Sequence, residues 1–493
     1  MTVRIEHDKQ NLTASHIDAL DCLIIISNQD ISDIESKSIG YFADIKSAIE
    51  AKTPTKGQPF KFNLLNTRLT HVCWTQIDQQ KTTFDHLSVN RLILTEALSS
   101  KTQKLGVLLP GWSGEEKKRL QQALVSAILS ITHALPEFKS KTSPGHALKT
   151  LTFFESKQKN FSRVIATARG NNLARSLTHL PANKLTPLDL NEQIKSLAQQ
   201  YNWDIHCYDL AELQKLQAGA FLAVTRASSA GAGIIKLTYT PKVDKPRKPM
   251  SLVGKGVCFD SGGLNLKPTR SMQHMNHDMA GAAAALGTLI ALSELKVDFQ
   301  ITCWLAIADN NIGRAAYRPS DVVSAANGVT IEVVHTDAEG RMLLADTLVL
   351  ADRENPAMII DFATLTGSCV NALSTRYSGA FTNRDAYHSD IIAAGITSGE
   401  RIWPFPFDED FDQALESKVA DIKQCLIEGT ADHIYGARFL NRFVRNTTPW
   451  IHIDLSAAHN DGGLGHIPSD VTGFGVRFAV DFILDRDWCW KND

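Results

Sequence analysis

Cysteine is scarce in this chain, with eight among 493 residues. They stand at Cys22, Cys73, Cys207, Cys258, Cys303, Cys369, Cys425 and Cys489, and no two form a C-x-x-C pair. Eight thiols so spaced in so long a chain are not a disulfide framework, and they suit reduced cysteines in a cytoplasmic protein. An excess of either charge is also missing: 51 basic residues face 53 acidic ones, a formal net charge of −2. Such a balance leaves no electrostatic footprint for nucleic acid or an anionic membrane. No run approaches the roughly 18 apolar residues that span a bilayer. Residues Met1 to Gln10 lack the basic start and apolar core of a signal peptide.

What is present is an ordinary globular composition, 43% hydrophobic and 21% charged, in a chain too long for one core. Two domains are expected, residues 1–160 and 161–493, joined near the polar stretch Glu155 to Asn160. In the first, the apolar runs Cys22–Ser27 and Leu105–Leu109 predict buried strands, and Ser113-Gly-Glu-Glu116 has capping-box spacing ahead of a helix toward Leu135. In the second, strands over Pro249–Gly254, Phe299–Ala308, Ile331–His335 and Ala357–Leu365 alternate with helices over Ala280–Leu295 and Arg341–Arg353. The fold class is therefore α/β: a small N-terminal α/β domain, then a larger domain with a central mixed sheet covered by helices.

Ligands of such sheets gather beyond the carboxyl ends of the strands, and the informative polar residues lie there. One cluster is Gly254-Lys255-Gly256-Val257-Cys258-Phe259-Asp260-Ser261-Gly262-Gly263, followed by Lys267 and Asp278. It is glycine-rich but lacks the G-x-x-x-x-G-K-[ST] spacing of a phosphate loop. The other is His335-Thr336-Asp337-Ala338-Glu339-Gly340-Arg341. If strand geometry continues past His335, Asp337 and Glu339 point to one side. Carboxylates aimed into one pocket repel unless cations neutralise them, and an oxygen-rich set suits Mg²⁺, Mn²⁺ or Zn²⁺. By spacing alone, these acids are equally consistent with loop carboxylates and helix-start charges.

The segments KGVCFDSGG (255–263), Lys267-Pro268, Asp278-Met279 and TDAEGR (336–341) resemble the signature of the leucine aminopeptidase family, the two-metal cytosol aminopeptidases. The resemblance continues through Ala316-Tyr317-Arg318-Pro319, ATLTG (363–367), Ala420-Asp421-Ile422-Lys423 and TGFGVR (472–477), from about Ala168 onward. It implies a metallo-exopeptidase that removes N-terminal residues from peptides, working on two divalent ions per subunit (Mn²⁺ or Zn²⁺, with Mg²⁺ a further candidate). By the same resemblance Asp260 and Glu339 bridge both ions, Asp337 holds the exchangeable one, and Lys255 and Asp278 complete the tighter one. A ligating lysine must be neutral. The resemblance further implies that Lys267 stays charged and faces the carbonyl oxygen where negative charge develops. It implies that Arg341 holds a bicarbonate that moves a proton from the attacking water to the leaving amine. It also implies that Met275, Thr364, Leu365 and Gly367, with the Ser456-to-His459 segment, line the substrate side-chain pocket and favour Leu or Met. The implied assembly is a homohexamer.

This chain departs from the family pattern at His335, where Asn is usual, at Ala280, where Gly is usual, and across Asp309 to Gly313. None of these removes an implied ligand, and His335 bears on side-chain preference. His433, His452 and His466 read as structural. Two other functions compete: a two-metal phosphoesterase, disfavoured because the ligand set contains lysine and no histidine, and a DNA-binding role seen in some family members, which the near-neutral charge does not support.

Overall fold

A computed structural model describes residues 3–34, 39–98, 101–141, 145–158 and 160–485. Cys489, and Lys159 within the expected linker, lie outside them. The chain divides into two compact units, one of residues 1–168 with 462–469, the other of residues 169–461 with 470–493.

The first unit contains a six-stranded sheet of β1 (Arg4–His7), β2 (Cys22–Ser27), β3 (Phe60–Asn63), β4 (His71–Gln76), β5 (Lys104–Leu108) and β6 (Thr150–Phe153), in the order β1-β6-β5-β2-β4-β3. All pairings are parallel except β3 with β4. The apolar run of β2 follows from this position. Cys22, Ile24 and Ile26 enter one hydrophobic cluster and Leu23 and Ile25 another, so both faces are buried and no polar alternation is possible. The expected helix runs from Gly114 to Ile131, shorter than predicted, and Ser113 caps it without a side-chain hydrogen bond. The capping box read from the spacing does not form.

The strands of the second unit are β7 (Asp204–Tyr208), β8 (Gly233–Tyr239), β9 (Arg247–Asp260), β10 (Phe299–Asn310), β11 (Val322–Ser324), β12 (Thr330–Glu332), β13 (Ile359–Ala363), β14 (Ser378–Thr382), β15 (Ile402–Pro404), β16 (Ile422–Lys423) and β17 (Trp450–Asp454). Eight of these form a mixed sheet in the order β15-β14-β17-β13-β9-β10-β8-β7. The central four, β17, β13, β9 and β10, are mutually parallel, so their carboxyl ends gather on one side. Short strands β11, β12 and β16 make a separate three-stranded sheet. The strand expected over Ile331–His335 is thus a three-residue strand of this small sheet, ending at Glu332.

Two helices press on β9 and β13. Ala280–Glu294 is built of small residues because it lies almost against the sheet backbone. A Cβ at Gly281 would stand 2.1 Å from the Phe362 carbonyl oxygen, an approach open only to glycine. Residues Leu343, Leu344 and Leu348 of the helix Glu339–Asp352 share a cluster with Val253 and Val257 of β9. Gly254, the next residue after Val253, faces Ala282 instead. Successive strand residues point to opposite faces, so the two helices clamp the sheet from both sides. Among the described residues no helix is long and apolar enough to cross a membrane.

Candidate active site

The long strand β9 runs beyond its pairing with β13, which ends at Gly254, and carries Lys255 to Asp260 on along β10 alone. Asp260 is paired with Asn310, the last residue of β10. The Asn310 side-chain amide donates to Asp260 at 2.8 Å, to the Thr336 carbonyl at 2.9 Å and to Glu339 at 3.3 Å. The loop after Asp260 is stitched to the second cluster by a reciprocal pair. Asn265 N–H donates to Thr336 Oγ1 at 2.8 Å, and Thr336 N–H donates to Asn265 Oδ1 at 2.9 Å. Tyr317 donates its hydroxyl to the Thr336 carbonyl at 2.7 Å. Asp337 therefore sits in a tied-down turn, and Glu339 is the first residue of the following helix. Both carboxylates do reach one place, but through a turn and a helix start rather than along a continuing strand.

Asp260, Asp337 and Glu339 each present an oxygen within 4.8 Å of the others. Lys255 donates to Asp278 at 2.8 Å and to the Thr364 carbonyl at 2.9 Å, and lies 2.9 Å from Glu339. Lys267 lies 2.7 Å from Asp260 and 2.5 Å from Asp337. Thr364 donates its hydroxyl to Asp278 at 2.7 Å. Lys255 can reach this position only because residue 340 is glycine: a Cβ there would stand 2.6 Å from Lys255 Cε.

Four carboxylates against two ammonium groups leave this largely buried cluster short of two positive charges. The deficit appears in the titration of its members. Burial pushes the Asp278 carboxyl up to about 8 against the pull of Lys255, with Glu339 and Asp260 adding to the rise. Burial and Asp260 push Asp337 up to about 6, with Lys267 opposing. Burial alone would lower the Lys255 ammonium, yet Asp278, Glu339 and Asp260 hold it well above its ordinary value. Two buried oxygens, Asp278 Oδ2 and Asn310 Oδ1, have neither a hydrogen-bond nor an ion-pair partner. Surplus buried negative charge and an orphaned carboxylate oxygen fit divalent cations. With such ions present, a ligating Lys255 must give up its proton.

Residues 172–480 match the family model described as "Cytosol aminopeptidase family, catalytic domain". The chain belongs to the cytosol aminopeptidase family. It is 38% identical over 410 residues to the "Probable cytosol aminopeptidase" of Synechococcus sp. (strain JA-3-3Ab), covering 80% of this chain and 79% of that one. It is 35% identical over 380 residues to the protein of that name from Persephonella marina, covering 76% of each. A solved structure of a tomato leucine aminopeptidase mutant superposes with a TM-score of 0.85 at 27% identity, covering 98% of this chain and 97% of that one. The protein is a metal-dependent aminopeptidase, a hydrolase of the exopeptidase class acting on peptides.

The remaining predicted residues differ in how they relate to the cluster. Thr364 joins it directly through Asp278. Leu365 and Thr366 donate their amides to the Asp454 carboxylate at 3.1 and 3.3 Å, which fixes the segment leading to Gly367, an exposed residue. Met275 opens the 3₁₀ turn Met275–His277 just before Asp278. The His335 ring accepts the Asp337 amide through Nδ1 at 3.3 Å, and burial and Lys267 lower its imidazole below the ordinary value. Arg341 is buried, and its guanidinium donates to Asp432 at 2.7 Å and to the Gln424 carbonyl at 3.2 Å. The anion beside Arg341 is thus a carboxylate of this chain. His452 is committed to Asp361 at 2.6 Å, both fully buried.

Sequence reading missed Asn310, Gln424 and Asp432 as parts of the site. Gln424 donates to the Ala338 carbonyl and accepts the Val334 and His335 amides, so it braces the turn that bears Asp337. Asn310, as the last residue of a predicted strand's extension, carried a positional signal. Gln424 and Asp432 carried none.

Proposed function

We propose that this aminopeptidase removes N-terminal residues, preferring Leu- and Met-like side chains, with Lys255, Asp260, Asp278, Asp337 and Glu339 as ligands of two divalent ions, Mn²⁺ or Zn²⁺ by preference. The observation that carries the reading is the convergence of four carboxylates with two positive charges too few. Two ions at that place would supply Lewis acidity toward the scissile carbonyl and acidify water near neutral pH. The chain's own residues do the rest. Lys267, less enclosed than Lys255, turns its ammonium to the carbonyl oxygen as negative charge builds there. Asp278 and Glu339 hold Lys255 still, and Asn310 holds Asp260 and Glu339. Arg341 is the seat of the proton-carrying anion. Bicarbonate is the family's expected occupant, and Asp432 competes for the same guanidinium. Met275, Thr364, Leu365 and Gly367 form the side-chain pocket. The enzyme works as a homohexamer in the cytoplasm, the compartment in its relatives' names.

The test pairs two substitutions, with metal content and kcat measured on Leu, Met, Glu and Arg amides. Asp337→Ala should lose both activity and one ion per chain. Lys267→Ala should keep its metal and lose on the order of 10²–10³ in kcat, the usual cost of one oxyanion donor. A fully active Asp337→Ala in metal-free buffer, or loss of metal in Lys267→Ala, would overturn the assignment of ligands and catalyst. Equal rates on all four amides would overturn the pocket assignment.

A further inference from the structure

The turn between Lys267 and Asp278 carries two histidines that none of these roles uses. Residues Met275–His277 form one 3₁₀ turn, entered through His274 at φ 63° and closed by the His277 amide donating to the His274 carbonyl at 2.9 Å. Side chains three apart on such a turn eclipse each other. The His274 and His277 ring centroids are accordingly 5.3 Å apart. A third imidazole arrives from far along the chain. His459 pairs with Val471 in an antiparallel bridge, and the Asn460 amide donates to the Asp470 carbonyl at 2.8 Å. The bridge sets the His459 ring 5.5 Å from His274 and 5.4 Å from His277. It also draws in two acids: His459, Asp461 and Asp470 each offer a ligand atom within 4.8 Å of the others.

Three rings at 5.3, 5.4 and 5.5 Å make a nearly equilateral triangle. Its centre lies about 3.1 Å from each centroid, the sum of a Zn–N bond of about 2.0–2.1 Å and the roughly 1.1 Å from ring centre to nitrogen. The ring planes lie within 25–29° of one another, and the nitrogens do not yet converge. The last torsion of histidine is broad, so each ring can swivel about its own axis without moving the backbone. His274 is exposed and His459 half-buried, which leaves both rings room to turn.

We propose that His274, His277 and His459 bind a third divalent ion of the zinc and copper class, with Asp461 or Asp470 as the carboxylate ligand. Imidazole-rich sets select Zn²⁺, Cu²⁺ and Ni²⁺, whereas the acidic centre offers oxygens and a single lysine nitrogen. The two places therefore sort ions by softness. An ion bound to the three rings ties the Met275 turn to the Ser456–His459 segment, two parts of the proposed side-chain pocket. The proposal does not depend on how many ions the acidic centre holds.

The probe is one equivalent of Cu²⁺ added to the full chain already loaded with Zn²⁺, read by electron paramagnetic resonance and by metal counts after desalting. Copper at the histidines should show hyperfine coupling to at least two imidazole nitrogens. Copper that displaces zinc from the acidic centre sees at most the one Lys255 nitrogen, so the two outcomes are distinct. His274→Gln and His459→Gln should each remove one imidazole nitrogen from the coupling and weaken copper binding at least about tenfold, no less than the usual cost of losing a supporting partner. Zinc per chain, counted after the copper addition, should match the wild type in both variants. Because His274 is exposed, its substitution leaves the fold intact and suffices alone. A wild-type spectrum without imidazole coupling, or one identical in all three proteins, would overturn the proposal.

Discussion

Replacing Gly340 by Ala should cripple the enzyme without unfolding it. Gly340 is the second residue of the helix Glu339–Asp352, a position where alanine fits the backbone. By propensity the substitution gains roughly 0.4–1 kcal/mol. Its methyl group, however, would stand 2.6 Å from Lys255 Cε and 2.8 Å from Cδ and Nζ. Carbon atoms rest at about 3.5–4.0 Å, so the lysine tip must withdraw by about 1 Å. Its contacts to Asp278, Thr364 and Glu339, now 2.8–2.9 Å, then pass out of hydrogen-bond range. The lysine tip is flexible and can yield without moving the helix, but a buried ammonium that loses its acceptors costs stability and offsets the propensity gain. A displacement of about 1 Å in a catalytic constellation costs on the order of 10²-fold in rate. The assay is kcat/KM on a leucyl amide beside ions bound per chain and Tm. Gly340→Ala should lose about two orders of magnitude with the chain still folded and Tm lowered rather than raised. In a Lys255→Met background the same substitution should cost nothing further, because the two changes act through one side chain. Wild-type turnover in Gly340→Ala, or full additivity in the double variant, would refute the reasoning.

Metal dependence should carry a pH signature. In the cation-free protein Asp337 and Asp278 titrate at about 6 and about 8, above the ordinary carboxylate range. Folding then binds protons that the unfolded chain has released, and stability falls as pH rises through these values. Ions hold the carboxylates charged, so the Tm gained on adding Mn²⁺ should be larger at pH 8.5 than at pH 5.5, and an equal gain at both would contradict this. The Arg341–Asp432 pair predicts that wild-type turnover is indifferent to added bicarbonate, whereas Asp432→Asn responds several-fold; a strongly bicarbonate-dependent wild type would show that Asp432 does not occupy the anion seat. Light scattering should give a particle of about 325 kDa, six chains of 54.2 kDa, and an active monomer would exclude the hexamer.

The parts of the site that could be read from sequence are those where one short segment carries both the structural reason and the chemistry. Asp260 follows a predicted strand within a glycine-rich stretch, and it does end β9. Asp337 and Glu339 were legible as a pair, but their geometry was misjudged: strand periodicity cannot register that β12 stops at Glu332 and that Thr336 is held by Asn265 and Tyr317. The supporting residues were illegible for a related reason. Gln424 lies 86 residues from the carbonyl it braces and Asp432 lies 91 from Arg341. A lone polar residue acquires meaning only from what the fold sets opposite it.

The two lysines make the same point from the side of chemistry. Nothing in K-x4-D-x6-K distinguishes them, yet their surroundings assign different work. Lys255 is 3% exposed, and its three ammonium protons face three acceptors: Asp278, Glu339 and the Thr364 carbonyl. It has no donor left for a substrate, and its pocket lies across the first turn of a helix where only Gly340 lets it pass. Lys267 is 12% exposed and faces two carboxylates, Asp260 and Asp337. An ammonium carries three protons, so with those two partners one donor remains for an incoming carbonyl oxygen. When divalent charge enters the cluster, the enclosed lysine has no route to solvent and can relieve the repulsion only by losing a proton. The open one can swing aside and stay charged. Burial, not residue type, therefore makes one lysine the candidate ligand and the other the candidate oxyanion partner.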